Sequence, residues 1–166
     1  MSIQQTKLKI RFYGDPHLRK RAKPVRAVTD KERGILSEMA ELMRLAGGIG
    51  LAAPQVGIDQ QMVLVDIGEG PVMLINPKIT KKRGSQELEE GCLSLPGIYV
   101  NVKRARRIIV SALNEYNEKI SIDANDLFAR ALQHEIDHLR GRMIIDYASL
   151  FKKIALRKKL RGVTHV

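Results

Sequence analysis

The sequence is poor in the residues that stabilise small secreted proteins and has no long apolar run. Of its 166 residues, one is cysteine and none is tryptophan. A lone cysteine excludes an intrachain disulfide and suits a reducing compartment. No apolar run approaches the ~18 residues that a membrane-spanning helix needs, and residues 1–10 show no leader pattern. The sequence therefore predicts a cytoplasmic protein that does not bind a membrane.

Acidic residues are also scarce relative to basic ones. The chain has 29 Lys+Arg against 18 Asp+Glu, a net charge of +11. Such a surface favours solubility, and it also attracts anionic partners such as ribosomal RNA. Aromatic residues make up only 4% of the chain, and no aromatic-rich stacking motif accompanies the charge. A non-catalytic RNA- or ribosome-binding protein therefore stays as an alternative and is not the first choice.

The pattern of elements predicts one α+β domain over residues 1–166, expected to be monomeric. A helix is expected over residues 30–45, where apolar residues recur at helical spacing. Five short strands are expected at residues 61–66, 72–75, 99–102, 108–114 and 119–123, with a hairpin turn at 115–118. Strands grouped before a helix, rather than alternating with helices, indicate mostly antiparallel sheets.

Residues 133–139, Gln-His-Glu-Ile-Asp-His-Leu, form the most informative motif. On a helix, His134 and His138 lie about one turn apart and project ~40° apart, so two ring nitrogens can reach one metal ion. Glu135 is rotated by ~100° and can serve as general base towards a water held at the metal. An ordinary polar surface helix is the alternative interpretation.

The same helix has an apolar side opposite the imidazoles. These apolar residues are Phe128, Leu132, Ile136, Leu139 and Met143. Gly141 is expected to end the helix. The helix should therefore be anchored on one side while its histidines face a site.

A catalytic metal site of this type needs a third protein ligand beside an open position. Of the other histidines, His165 is the penultimate residue and His17 lies in a segment punctuated by Pro and Gly. Cys92 lies in a turn-rich segment, residues 89–97. A lone cysteine is more often a small buried residue, but beside a two-histidine helix Cys92 is the favoured third ligand.

A third segment, residues 47–57, is rich in glycine and alanine. Small residues let the backbone approach a ligand closely. A phosphate-binding loop is excluded because no Gly-Lys-Ser/Thr ending is present and Pro54 stands where a helix should begin. The segment is either a plain connecting loop or a surface that presents backbone to a peptide, with Gln55 as an amide donor.

Together, residues 48–55 (Gly-Ile-Gly-Leu-Ala-Ala-Pro-Gln), 90–94 (Glu-Gly-Cys-Leu-Ser) and 133–139 resemble the three motifs of the peptide deformylase family, in the family's order. The resemblance extends through residues 74–77 and 15–19 and fades past about Tyr147. It implies antiparallel sheets around a central helix that carries the two-histidine motif, with further helices near both ends. It also implies a bacterial enzyme that hydrolyses the formyl group from N-formylmethionyl nascent peptides and releases formate.

The resemblance also implies residue roles. Cys92, His134 and His138 would bind one divalent metal ion, usually Fe²⁺ in the family, and the ligand types also admit Zn²⁺, Ni²⁺ or Co²⁺. Glu135 would transfer protons. The Gln55 amide and the Leu93 backbone N–H would stabilise the formyl oxygen.

Four further residues would bind substrate. Ile49 and Gly50 resemble the edge that pairs with the peptide backbone by strand addition. The methionine side chain would lie near Leu127 and Ala131.

Two positions depart from the family pattern. Some relatives carry an arginine where this chain has Tyr99, and the family usually has a glycine where it has Asp126. Asp126 and Asn125 are competing candidates for the helix N-cap. Neither departure affects an expected ligand or the expected base.

The C-terminal segment, residues 147–166, is expected to be a basic helix or tail. Tyr147, Leu150, Phe151 and Ile154 form an apolar stripe through which the first two turns should dock. Between residues 151 and 161 the chain has six cations and no acid, namely Lys152, Lys153, Arg157, Lys158, Lys159 and Arg161. They predict either a contact with ribosomal RNA or a solvated tail.

Two further enzymatic alternatives remain. A metallopeptidase that shares the two-histidine helix would use a histidine or glutamate as third ligand. An inactive deformylase relative is disfavoured because every expected ligand and the base are present.

Overall fold

The computed structural model describes residues 7–163, so His165 and most of the N-terminal segment tested for a leader lie outside the described part of the chain. Within it the chain forms three α-helices and seven β-strands. They are α1 (Asp30–Leu45), β1 (Gly50–Ala52), β2 (Met62–Val65), β3 (Val72–Arg83), β4 (Gln86–Glu90), β5 (Val100–Arg104), β6 (Arg107–Leu113), β7 (Lys119–Asn125), α2 (Asp126–His138) and α3 (Leu150–Val163). No helix in residues 7–163 has the length and apolar character needed to cross a membrane.

Helix α1 forms where the sequence predicts it. Its N-terminus is a capping box, in which the Thr29 hydroxyl accepts from the Lys31 N–H at 3.3 Å and the Glu32 carboxylate accepts from the Thr29 N–H at 3.0 Å. Its apolar side is buried through Leu36 and Met39, in a core cluster shared with β1 and β2. Local signals at the cap and along the helix agree with the packing, and the prediction is confirmed.

The strands form antiparallel sheets. Five strands pair in the order β1-β2-β3-β6-β7, and β4 pairs with β5 in a separate two-stranded sheet. The expected hairpin is confirmed, since β6 and β7 pair from Arg107↔Asn125 to Leu113↔Lys119. The α+β class with antiparallel sheets is therefore correct.

Two strands were not predicted, and β3 is longer than expected. β1 has only three residues and lies in the glycine-rich segment. Most residues of β4 are exposed, so no alternation of apolar and polar residues marks it. The added part of β3, residues 76–83, is mostly exposed and carries four cations. These segments are strands because they pair with neighbouring strands. The local pattern of apolar residues does not predict that pairing.

Helix α2 packs against β1, β2 and β7 and is buried from Ala129 to His138. Its predicted apolar side is correct for Phe128, Leu132, Ile136 and Leu139, which join one core cluster. The prediction is wrong for Met143, which follows the helix and packs in a different cluster. The chain turns at Gly141, where φ is +70°, and a Cβ there would overlap the Arg19 carbonyl.

The start of α2 explains the departure at Asp126. Asn125 is the N-cap residue, although its side chain makes no capping hydrogen bond. Asp126 has φ +47°, a left-handed conformation that glycine adopts without cost and aspartate tolerates. The Asp126 N–H donates to the Arg106 carbonyl at 2.8 Å, and Arg106 Nε donates to the Asp126 carboxylate at 2.8 Å.

The predicted docking side of the C-terminal helix is wrong. Tyr147, Leu150, Phe151 and Ile154 are exposed by 39, 70, 84 and 55%. Helix α3 instead docks through Leu156, Leu160 and Val163, which join the cluster of Leu18, Leu95 and Ile145. Two apolar stripes compete on this helix, and only the second one meets an apolar surface.

Candidate active site

Three predicted ligands converge at the C-terminal part of α2. His134 Nε2 lies 3.3 Å from His138 Nε2, which lies 3.4 Å from Cys92 Sγ. Cys92 lies two residues after the end of β4, and its carbonyl accepts from the Leu95 N–H at 2.9 Å. All three candidate ligand atoms lie within 4.8 Å of one another. A thiolate and two imidazoles at this spacing suit Zn²⁺ or a similar transition-metal ion with one further position open.

The outer nitrogen of His134 is bound by a carboxylate. Its Nδ1 lies 3.0 Å from Glu90 Oε2, an arrangement that turns Nε2 towards Cys92 and is usual for metal-binding histidines. Burial raises the pKa of Glu90, but hydrogen bonds from His134 and Arg104 lower that pKa to about 2. Glu90 is therefore an anion that orients His134, and this donor set fits a bound metal.

Glu90 belongs to a buried charge network that sequence analysis missed. Arg104 donates to both Glu90 oxygens at 2.7 and 2.9 Å and to Asp137 Oδ2 at 2.7 Å. Arg130 Nη1 donates to Glu90 Oε1 at 2.6 Å, and the Tyr147 hydroxyl donates to Asp137 Oδ2 at 2.7 Å. Alternate residues of β5 are buried, including Arg104; that period-two pattern was the signal available in the sequence.

Glu135 lies next to the convergence point. Burial raises the pKa of its carboxyl to about 7, and Oε2 has no hydrogen-bond partner among residues 7–163. The other oxygen contacts the backbone at position 50, where any Cβ would overlap Glu135. Gly50 is thus required for the approach of β1 to α2. A carboxyl group with a pKa near neutrality can both accept and release a proton.

Burial and neighbouring groups shift the pKa values of the two histidines in opposite directions. Burial lowers the pKa of His134, but hydrogen bonds to Cys92 and Glu90 raise it well above its ordinary value. Burial, together with the charge of His134, lowers the pKa of His138 well below its ordinary value. His17, the histidine set aside as a ligand, lies elsewhere, with Nδ1 2.8 Å from Asp15.

The two expected donors to the formyl oxygen lie beside Cys92. Gln55 Oε1 accepts from the Ala52 N–H at 2.8 Å, which fixes the orientation of the amide. Gln55 Nε2 is then directed to Ser94 Oγ at 3.2 Å and to Cys92 Sγ at 3.6 Å. The Leu93 N–H has no acceptor within residues 7–163. The Leu93 N–H can therefore donate to a ligand directly, and Gln55 Nε2 can do so by exchanging its contact with Ser94 or Cys92.

A cavity of about 470 Å³ opens in front of these groups. All four expected substrate-binding residues line it, namely Ile49, Gly50, Leu127 and Ala131. β1 is an edge strand of the five-stranded sheet, so its unpaired side is available to an extended peptide. Tyr99 also lines the cavity, with 54% of its surface exposed. Its ring lies against Gly91, where a Cβ would be 3.0 Å from Cε1.

Comparison with known proteins agrees with this geometry. Residues 7–153 match the model of the polypeptide deformylase family. The chain is 46% identical over 156 residues to a peptide deformylase of Pseudoalteromonas translucida, covering 92% of this chain and 93% of that one.

Solved structures give the same result. A peptide deformylase from Legionella pneumophila is 38% identical with a TM-score of 0.89, covering 93% of this chain and 94% of that one. One from Synechococcus elongatus, in complex with actinonin, is also 38% identical with a TM-score of 0.89, covering 95% and 90%. This chain therefore belongs to the polypeptide deformylase family, the metal-dependent hydrolases that remove the N-formyl group from nascent polypeptides.

Proposed function

We propose that Cys92, His134 and His138 bind one divalent metal ion at which the formyl group is hydrolysed. The observation that carries this proposal is the convergence of Sγ and two Nε2 atoms within 4.8 Å. The third ligand is a cysteine, whereas a related metallopeptidase would use a histidine or glutamate. Bound there, the cation would act as a Lewis acid, lowering the pKa of a water and polarising the formyl carbonyl.

Glu135 is the proposed proton carrier. Its unpartnered Oε2 accepts a proton from the attacking water, whose oxygen forms a bond to the formyl carbon. When the C–N bond breaks and formate leaves, Glu135 returns the proton to the departing amine. A pKa of about 7 suits both steps, because the carboxyl can hold or lose the proton near neutral pH.

Gln55 and Leu93 are proposed to stabilise the developing negative charge. The Gln55 Nε2 amide and the Leu93 N–H would donate to the formyl oxygen as it becomes an oxyanion. Because the Ala52 N–H holds Gln55 Oε1, Nε2 stays directed towards Cys92 and would exchange its contact with Ser94 or Cys92 for one with the formyl oxygen. Loss of one such donor typically costs about 3–4 kcal/mol of transition-state stabilisation.

The substrate is proposed to bind as an added strand. Its backbone would pair with Ile49 and Gly50 at the free edge of β1. The methionine side chain would lie against Leu127 and Ala131, one to two turns before His134 on α2.

Metal content and turnover separate these roles. Cys92→Ala, His134→Ala and His138→Ala should each lose the metal, measured by elemental analysis of anaerobically purified protein. Glu135→Gln should keep the metal and lose hydrolysis of a formyl-Met peptide. Full metal occupancy in Cys92→Ala would contradict the three-ligand site.

We propose Fe²⁺ as the native ion, with Zn²⁺, Ni²⁺ and Co²⁺ as ions that the same ligands admit. Ferrous iron and a ligating thiolate are both open to oxidation. Activity of the iron form should therefore decay in air, while that of the nickel form should persist. Equal half-lives in air would point to a redox-inert native metal such as zinc.

We propose that the protein is a bacterial cytoplasmic monomer that forms one domain over residues 1–166.

The exposed side of α3 is proposed to contact ribosomal RNA. Most of the six cations between residues 151 and 161 are exposed. A triple variant, Arg157→Gln/Lys158→Gln/Lys159→Gln, should weaken co-sedimentation with ribosomes at low salt and leave hydrolysis of a short peptide unchanged. These substitutions spare Leu156 and Leu160, which anchor the helix. Undiminished co-sedimentation would indicate that another surface contacts the ribosome, and the cations of residues 103–107 would be the next candidates.

A further inference from the structure

A second cavity lies behind α2, on the side that faces away from the two imidazole rings. Its volume is about 300 Å³, and it shares no lining residue with the active-site cavity. Ile136 and Leu139 form part of its wall, and on the helical wheel both lie ~140–200° from His134. A ligand bound there would leave the active site accessible.

Within residues 7–163, three cations line this cavity and no acid does. They are Arg21, Lys78 and Arg140, all of which are exposed. None of their side chains has a hydrogen bond or ion pair with another residue of the described chain. Close by in sequence, Arg19 pairs with Asp146 at 2.6 Å and Lys23 with Asp59 at 3.5 Å. The cavity thus concentrates uncompensated positive charge where neighbouring cations are neutralised.

The remaining wall is suited to a phosphate attached to a less polar group. Gln61 Nε2 donates to the Ala22 carbonyl at 3.2 Å, and Asn76 Nδ2 donates to the Val25 carbonyl at 2.8 Å. Each amide is thereby fixed in place and keeps a second N–H for a ligand. Two guanidinium groups can bind phosphate oxygens in pairs.

We propose that Arg21, Lys78 and Arg140 bind phosphate groups of an RNA backbone. The net charge of +11 favours a polyanion over a single small ion. The enzyme acts on nascent chains, which emerge from a ribosome whose surface is rich in RNA phosphate. This would be a second RNA-binding surface in addition to the one proposed for α3. RNA binding there requires neither the metal nor α3.

The test uses the metal-loaded enzyme and a fluorescent oligouridylate of about 20 nucleotides, a length that exceeds typical single-strand sites. Arg21→Gln/Lys78→Gln/Arg140→Gln should weaken binding about tenfold at low salt. Its log–log salt dependence should become shallower by about 2, since each phosphate contact to single-stranded nucleic acid contributes about 0.7. Hydrolysis of a short formyl-Met peptide and the melting temperature should not change.

A matched control removes the same charge elsewhere. Lys31, Arg44 and Lys119 are exposed cations on α1 and β7 that do not line the cavity. Their triple glutamine variant should lose less than about threefold in RNA affinity, the effect of net charge alone. When the three cavity substitutions are added to the α3 triple variant, the salt dependence of RNA binding should still become shallower by about 2. Equal losses in the cavity and control variants would overturn the proposal, because binding would then depend only on total charge.

Two further titrations test whether the cavity prefers RNA to other anions. Inorganic phosphate should bind at millimolar concentration and much more weakly than oligouridylate, because it engages one phosphate position. An oligoglutamate of equal charge should also bind more weakly, since its carboxylates are spaced differently from phosphates. Binding of either probe as tightly as the RNA, with the same loss in the cavity variant, would overturn the assignment to RNA.

Discussion

Helices α2 and α3 are nearly equal in length, 13 and 14 residues, but they are held in different ways. From Ala129 onward every residue of α2 is buried, and charged groups bind its polar side while the sheet covers its apolar side. In α3 only Leu156, Leu160 and Val163 are buried. An enclosed helix is held from several sides, whereas a helix at the surface packs through one face.

This difference matches the role proposed for each helix. The enclosed helix can hold two imidazoles and Glu135 in fixed positions, because Glu90, Asp137 and the sheet restrain it. The surface helix leaves Phe151 and Ile154 exposed beside many cations. Rigid burial suits a catalytic site, and an exposed basic surface suits a transient partner.

The largest expected effect comes from breaking the network that holds α2. Arg104→Met would leave Asp137 and part of Glu90 without their buried cation, and the free energy of unfolding should fall by about 3–5 kcal/mol. Arg107 makes a similar paired contact with Asp123, but both side chains are nearly half exposed. Arg107→Met should therefore be almost silent.

Urea unfolding monitored by circular dichroism measures both variants. The comparison fails if the two arginine variants lose equal stability, because burial of the pair would then not matter.

The next prediction tests which side of α3 is docked. Leu160 is buried and Phe151 is 84% exposed. Leu160→Ala should lower the free energy of unfolding by about 2–3 kcal/mol, and Phe151→Ala should change it by less than about 0.5 kcal/mol. The same unfolding measurement applies. A larger loss for Phe151→Ala would restore the docking side that the sequence predicted.

A smaller effect is expected where the segment before α3 meets α2. Tyr147→Phe removes the hydroxyl that donates to Asp137 at 2.7 Å but keeps the ring beside Arg104. The loss should be about 1 kcal/mol, since Asp137 keeps its bond to Arg104. Tyr116→Phe, at a residue that is 68% exposed, is the control and should be neutral. Identical melting curves for wild type and Tyr147→Phe would show that this contact contributes nothing.

The smallest effect concerns the start of α2. Asp126→Gly replaces a residue with φ +47°, where glycine relieves the left-handed strain and so offsets its own conformational entropy. The same substitution at Asp30, in the right-handed first turn of α1, offers no such compensation. Asp126→Gly should be more stable than Asp30→Gly by about 0.5–1 kcal/mol. The reverse order would contradict the explanation given for Asp126.

The sequence was sufficient to predict features that depend on residues close together in the chain. The apolar spacing of α1, the hairpin at residues 115–118 and the i, i+4 spacing of the two histidines each depend on residues that lie close together in the chain. The resemblance to the deformylase motifs added Leu93 and the roles of Cys92 and Gln55, and the structure brings all three residues to the cavity beside α2. The assignment of their roles stays a proposal.

What the tertiary structure decided involves residues far apart in the chain. Arg104 meets Glu90 and Asp137, which are 14 and 33 residues away, and the cations behind α2 come from three separate segments. Either apolar stripe of α3 satisfies helical periodicity. Periodicity shows that a helix has an apolar face, but the free energy of burying that face depends on a surface that only the folded chain assembles.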